Sequence, residues 1–225
     1  GGRTEVRADG GTKTLVCTNP DCVAKKVKRF SLFVSRDAMN IEGLSESTLL
    51  KLMGLGLIHG FPDIFRLEQH REEIASMEGF GEKSADNLIN AIEKARNTRP
   101  ERILAGLGIP GIGVATAGVI ARHCHGSWDR IIKLSGEELS SINGIGPVLA
   151  NEYEAFFADE GNMAMVKELS SLLRIDESVE DRGSLLQDKV FVITGSLEHF
   201  ENRDAMKAAI QAQGGRVSGS VSGKT

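Results

Sequence analysis

Residues 106–121 read GLGIPGIGVATAGVIA, and the reason for their glycines decides the fold. Taken alone, GLGIPG satisfies the G-x-G-x-x-G pattern of a dinucleotide-binding turn, which needs a strand before it and an acidic residue about 20 positions on. The lead-in PERILAGLGIP is not a β-branched run, and Pro110 falls where the phosphate-binding helix would begin. Self-similarity explains the glycines better. Gly79-Phe80-Gly81, Gly111-Ile112-Gly113 and Gly144-Ile145-Gly146 repeat a Gly–apolar–Gly core at intervals of 32 and 33 residues. An apolar residue (Met77, Ile109, Ile142) precedes each by two positions, and an alanine (Ala85, Ala117, Ala150) lies six positions after the first glycine. A weaker copy stands 36 residues upstream at Ile41, Gly43-Leu44-Ser45 and Leu49.

Helical periodicity follows each copy, through Leu88, Ile89 and Ile92, then Val119 and Ile120, then Tyr153, Phe156 and Phe157. The unit predicted is helix, tight glycine turn, helix, with the alanine letting the two helices cross closely. Glycine suits the turn because it accepts positive φ and carries no side chain to block a close approach. Exposed amides at a helix N-terminus favour an anion, and a row of them suits a polymer with regularly spaced phosphates. Such contacts position a protein on nucleic acid without reading its sequence. The other reading keeps the glycines as packing devices in a protein-interaction module.

Composition is that of a globular protein: 225 residues, 40% hydrophobic and 26% charged. No apolar run approaches the roughly 18 residues of a membrane helix. Net charge is −4, so a uniform basic footprint is absent and nucleic-acid contact must rely partly on backbone groups. The charge is uneven: residues 1–30 carry seven bases against three acids, and residues 159–188 eight acids against three bases. Three cysteines do not make a disulfide framework and fit a reducing, intracellular setting. The opening Gly-Gly without Met reads as the start of an excised piece.

Toward the start, Cys17 and Cys22 flank an Asn-Pro turn at a spacing that lets both thiolates reach one ion, although a structural zinc site takes four ligands. Cys124 with His123 and His125 reads as exposed residues near a helix end rather than as ligands. Toward the other end, KVFVITGSL (189–197) has a buried-strand pattern, followed by a helix over 203–213, a Gly214-Gly215 turn and a second strand in RVSGSVS. This is the beginning of a small α/β domain, preceded by the charged segment RIDESVEDRGS (174–184), which reads as a linker.

These pieces, in this order, resemble the C-terminal half of the bacterial NAD-dependent DNA ligases. CTNPDC (17–22) resembles the second cysteine pair of that family's four-cysteine zinc finger, and FVSRDAMNIEGL (33–44) is characteristic of it. EGFGEKSADNLINAIEKA (78–95) and LGIPGIGVATAGVIARH (107–123) resemble its second and third helix-hairpin-helix copies. KVFVITGSL with GGRVSGSVSGKT resembles the first half of a BRCT domain. Departures are Val23 and Lys25, where the family often has Pro and Gln, and an extra residue in ARHCHGSW. The family's nucleophilic lysine lies in a Lys-x-Asp-Gly motif. The nearest match is Arg7-Ala8-Asp9-Gly10, and arginine, never deprotonated, cannot serve; Arg7 reads as an accidental match in a turn.

The resemblance implies a mainly α fold of four tandem helix-hairpin-helix copies. It implies a zinc-finger segment at 1–30 with its first cysteine pair missing, a helix-hairpin-helix domain at 31–173, a linker at 174–185 and a partial BRCT domain at 186–225. Zinc would be held in part by Cys17 and Cys22. Phosphates would be gripped by Gly79, Gly81, Gly111, Gly113, Gly144 and Gly146, helped by Lys83. The partner would be nicked duplex DNA, met by a monomer associated with the bacterial nucleoid in replication and repair, with no membrane involved. NAD and magnesium would act in the parent enzyme outside this piece, which holds no catalytic residue. A helix-hairpin-helix subunit of another repair enzyme is the alternative reading beside the interaction module.

Overall fold

Val23–Val34 form the first helix because Val27, Phe30, Phe33 and Val34 fall on one face, and all four are buried. This helix, α1, follows a two-stranded ribbon of β1 (Thr4–Asp9) and β2 (Thr12–Cys17), antiparallel with Thr4 opposite Cys17 and Asp9 opposite Thr12. The computed structural model describes residues 2–9, 12–19, 22–178, 186, 189–195, 197, 199–200 and 202–219. It divides into two units, residues 1–177 and 178–225.

The first unit is mainly helical, as the repeat predicts. After α1 come α2 (Glu46–Gly54), α3 (Phe61–Ile64), a 3-10 turn (Leu67–His70), α4 (Arg71–Ser76) and α5 (Glu82–Ala95). A short strand β3 (Asn97–Thr98) leads into α6 (Pro100–Gly106), α7 (Val114–His123), α8 (Trp128–Lys133) and α9 (Gly136–Ser140). The unit closes with α10 (Pro147–Ala158), α11 (Glu160–Leu172) and β4 (Arg174–Ile175). Pro100 and Pro147 open their helices, where the missing N–H costs nothing. Ser45, Ser127, Ser135 and Asp159 cap the first turns of α2, α8, α9 and α11. One apolar core runs from Phe30 to Leu169. Phenylalanines cluster at its start: Phe33 stacks on Phe61 at 4.2 Å, and Phe30 meets the same ring edge-on at 5.4 Å.

The two ends of this unit are tied to its middle. Arg96, just after α5, donates to the carbonyls of Phe65 and Leu172, pairs with Glu93 and lies over the Phe65 ring. β3 and β4 pair in parallel, and Arg66 of the α3 region reaches Glu168 of α11 at 2.6 Å. Residues 174–177, expected in the linker, therefore belong to the fold. Ile175 sits opposite Thr98, Asp176 N–H bonds the Thr98 carbonyl, and Glu177 accepts the Trp128 N–H. Their apolar content is low, but backbone pairing does not need it. The rest of the expected linker, 179–185, lies outside the described residues.

The second unit has β5 (Val190–Val192), α12 (Arg203–Ala212) and β6 (Arg216–Ser218), the strands pairing in parallel with Phe191 opposite Val217. The strand–helix–strand order matches the expectation. The residues of β5 are half-buried rather than buried, because among the described residues the sheet has only two strands and α12 supplies the buried Ile210. Ser196 and residues 220–225, part of the motifs quoted above, lie outside the described residues, as do Gly1, Gly10, Pro20 and Asp21.

Candidate functional site

The four repeat copies become four helical hairpins of one design. The first glycine of each, Gly43, Gly79, Gly111 and Gly144, takes a positive φ between 78° and 91°. In the last three, the N–H of Phe80, Ile112 or Ile145 closes on the carbonyl of Met77, Ile109 or Ile142 at 2.9–3.0 Å. The glycine thus occupies the third position of a β-turn that requires positive φ there, the type II arrangement. Pro110, which spoiled the dinucleotide reading, sits at the second position of its turn, where its fixed φ is favoured. Leu44, Ile112 and Ile145 are buried and Phe80 is half-buried, so the apolar residue anchors the loop and leaves the glycine backbone outside. Ala85, Ala117 and Ala150 are buried where the second helix crosses the first.

The second glycines do not take the positive φ expected of the turn. Gly81, Gly113 and Gly146 have φ of −168°, −96° and −87° as the N-caps of α5, α7 and α10, conformations open to any residue. A Cβ at any of the three would meet nothing within 4 Å among the described residues. As glycines, these N-caps offer no side-chain acceptor to the first-turn N–H groups of their helices, and among the described residues no side chain caps them. The first hairpin differs. Its equivalent residue, Ser45, accepts the Thr48 N–H at 3.2 Å and contacts the hydroxyls of Ser47 and Thr48.

The hairpins pair. Gly43 of the first lies against Leu88 of α5, and Lys51 of α2 bonds the Glu78 carbonyl in the second hairpin at 2.5 Å. Gly111 of the third lies against Leu149 of α10 in the fourth. Arg71 on α4 clamps the second hairpin through Glu82 and Asp86, both at 2.7 Å, and its guanidinium holds the Asp86 carboxyl below the ordinary range. Lys83 is exposed in the first turn of α5. Sequence reasoning missed Lys51, because it reports a contact across 27 residues. It also missed a groove of about 1120 Å³ beside the first two hairpins, lined by Asn40, Gly43, Gly79, Asn87, Asn90 and Arg102.

Toward the start of the chain, Cys17 and Cys22 are half-buried. The backbone N–H groups of Asn19 and Gly2 hold the Cys17 thiol below its usual range, helped by Cys22 and Lys25. Among the described residues, no three His, Cys, Asp or Glu side chains form a metal-binding group. Two other expectations change. Cys124 is fully buried, not exposed with His123 and His125, and burial pushes its thiol up, because the end of α7 packs inward at that residue. Arg7 lies within β1 opposite Thr14, not in a turn, because the strand continues to Asp9.

Comparison with known proteins matches the hairpin pairs. The family profile described as a SAM-like helix-hairpin-helix tandem fits residues 35–94, and the profile of the helix-hairpin-helix motif fits residues 102–166. The chain is 43% identical over its full length to the DNA ligase of Ruminiclostridium cellulolyticum, covering 34% of that protein. It is 42% identical to that of Lachnoclostridium phytofermentans, again over all of this chain and 35% of the relative. Against the Bacillus licheniformis DNA ligase the identity is 37% over 96% of the chain and 33% of the relative. The chain thus spans about a third of the length of the relatives it matches. Among the described residues, no helix is long and apolar enough to cross a membrane. Both hairpin pairs thus match helix-hairpin-helix profiles, and from end to end the chain is similar to part of the bacterial DNA ligases.

Proposed function

We propose that this chain is the DNA-holding portion of an NAD-dependent DNA ligase and grips duplex DNA around a nick through backbone amides of its hairpins. One observation carries the reading. At Gly81, Gly113 and Gly146 neither φ nor any neighbour among the described residues calls for glycine. Serine, which other helices of this chain use, would cap better. The requirement then comes from outside: a ligand that approaches the backbone closely. Outward N–H groups at the positive end of a helix select an anion, and three such ends in one chain suit the phosphates of a nucleic acid. Gly79, Gly111 and Gly144 shape the turns that present them, and Lys83 adds charge. The first hairpin, capped by its own Ser45, takes little part in the grip.

Nick sealing, the use of NAD and magnesium, and the adenylated lysine belong to the parent enzyme outside this chain. A monomer in the bacterial cytoplasm, drawn to the nucleoid by DNA, is part of the same reading. The second unit is the first part of a BRCT domain, supported by its strand–helix–strand order. Zinc fits Cys17 and Cys22 as half of a tetrahedral thiolate site, because Cys22 and the neighbouring amides favour the Cys17 thiolate, the form that binds metal. When bound with two ligands from outside this chain, the metal would lock the end of the ribbon to the start of α1. Loss of stoichiometric zinc from the parent on Cys17→Ser is the check.

The experiment for the grip is duplex binding by a Gly113→Val, Gly146→Val double variant at several salt concentrations, with circular dichroism to verify the helices. N-cap preference alone costs roughly 1 kcal/mol per site, so the fold persists. Affinity is expected to fall by about tenfold or more, as contacts to charged phosphate are lost, and to show no base-sequence preference. Unchanged affinity in the folded variant would return the glycines to the packing reading and the chain to an interaction module.

A further inference from the structure

We propose that Lys51, on the second helix of the first hairpin, is a positioning residue for the second hairpin, whose Glu78–Gly79 peptide it orients for the phosphate grip. This rests on the DNA-holding reading above. The Lys51 ammonium donates to the Glu78 carbonyl at 2.5 Å, and Nζ stands 3.8 Å from where a Cβ on Gly79 would lie. Glu78 and Gly79 are the two central residues of the turn closed by Phe80 N–H on the Met77 carbonyl. The peptide between them is the one that inverts between type I and type II turns, and φ of +81° at Gly79 marks the type II state. A planar trans peptide points its C=O and N–H in opposite directions. By holding the Glu78 carbonyl, Lys51 therefore also sets the direction of the Gly79 N–H and the path of the backbone into Gly81 and α5.

The third hairpin holds the corresponding peptide by different means. There, Pro110 presets the turn and Leu149 packs on Gly111. The second hairpin has Glu78 where the third has Pro110, and it receives the lysine instead. Lys51 is in the last turn of α2, where the helix dipole favours a cation. The first hairpin, whose own amides Ser45 engages, thus serves the grip through a side chain lent to its neighbour.

The test uses the whole chain with Lys51→Met, which keeps most of the stem, and Lys51→Arg, which keeps the donor and the charge. The readouts are the Gly79 and Phe80 amide resonances in 15N-resolved NMR and affinity for a nicked duplex across a salt series. With Lys51→Met the Gly79 resonance is expected to move. Affinity should fall roughly three- to tenfold, the scale of one net hydrogen bond, with the salt slope unchanged. Lys51→Arg should restore most of the affinity. A slope reduced by about one with the Gly79 resonance unmoved would make Lys51 a direct phosphate contact and overturn the proposal. Unchanged affinity with Lys51→Met overturns it too. If the unmodified chain binds no duplex, the DNA-holding reading fails separately, and the Gly79 resonance alone then decides whether Lys51 orients this turn.

Discussion

Gly111 of the third hairpin lies beneath Leu149 of the fourth: a Cβ on Gly111 would come within 3.2 Å of Leu149 Cδ1, while Gly111 holds φ at +78°. Gly144 has a similar φ, +89°, but a Cβ there would meet nothing within 4 Å among the described residues. The two glycines look equivalent in the repeat and differ in what a substitution meets. Gly111→Ala is expected to destabilise by about 2–3 kcal/mol, adding displacement of Leu149 to the cost of a left-handed backbone. Gly144→Ala should lose only about 1 kcal/mol. Urea unfolding of the two variants provides the comparison, and equal losses would show that Leu149 yields freely.

The Ser45 cap gives a variant with the opposite profile. Ser45→Ala removes the acceptor of the Thr48 N–H and should cost about 1 kcal/mol of stability. Duplex affinity should stay as it is if, as proposed, the start of α2 lies outside the grip. A drop in affinity as large as that of the Gly113→Val, Gly146→Val variant would place the first hairpin among the binding hairpins.

Arg96 holds the two halves of the helical unit together through the Phe65 and Leu172 carbonyls, with its side chain only 13% exposed. Arg96→Leu leaves both carbonyls without this donor and should destabilise by roughly 2–4 kcal/mol. Hydrogen exchange is expected to rise first in β3 and β4. Protection that declines only around α1 would show that the halves are held elsewhere.

Three exposed carboxylates make the unit sensitive to acid. Asp86 is held below its ordinary range by Arg71, Glu93 by Arg174 and then Arg96, and Glu138 by the backbone and hydroxyl of Ser135. A depressed carboxylate contributes its stability above the unfolded-state value and loses it as pH falls toward the folded-state value. The melting temperature should therefore decline below about pH 4.5, the ordinary glutamate value. The decline should be shallower in an Asp86→Asn, Glu93→Gln variant. An equally steep decline there would assign the acid response to other groups.

What the sequence determined by itself was everything that repeats at short range. The Gly–apolar–Gly cores, the alanine six positions on and the apolar periodicity fix helix, turn, helix, because turn conformation and helix face depend on residues a few positions apart. The same local signal misjudged Cys124, since the charged and small residues around it in ARHCHGSW say nothing about how the end of α7 packs. It also treated all six hairpin glycines alike, although three are turn residues and three are helix caps with empty space before them. The pairing of hairpins was decided only by the tertiary structure. Lys51 reaches Glu78 across 27 residues, Arg96 reaches Leu172 across 76, and Arg66 reaches Glu168 across 102. Each is a long polar side chain on an exposed or half-buried face, where many sequences are tolerated and no periodicity records the partner. The geometry of packed helices selects that partner, and it is fixed only when the core that holds those helices has closed.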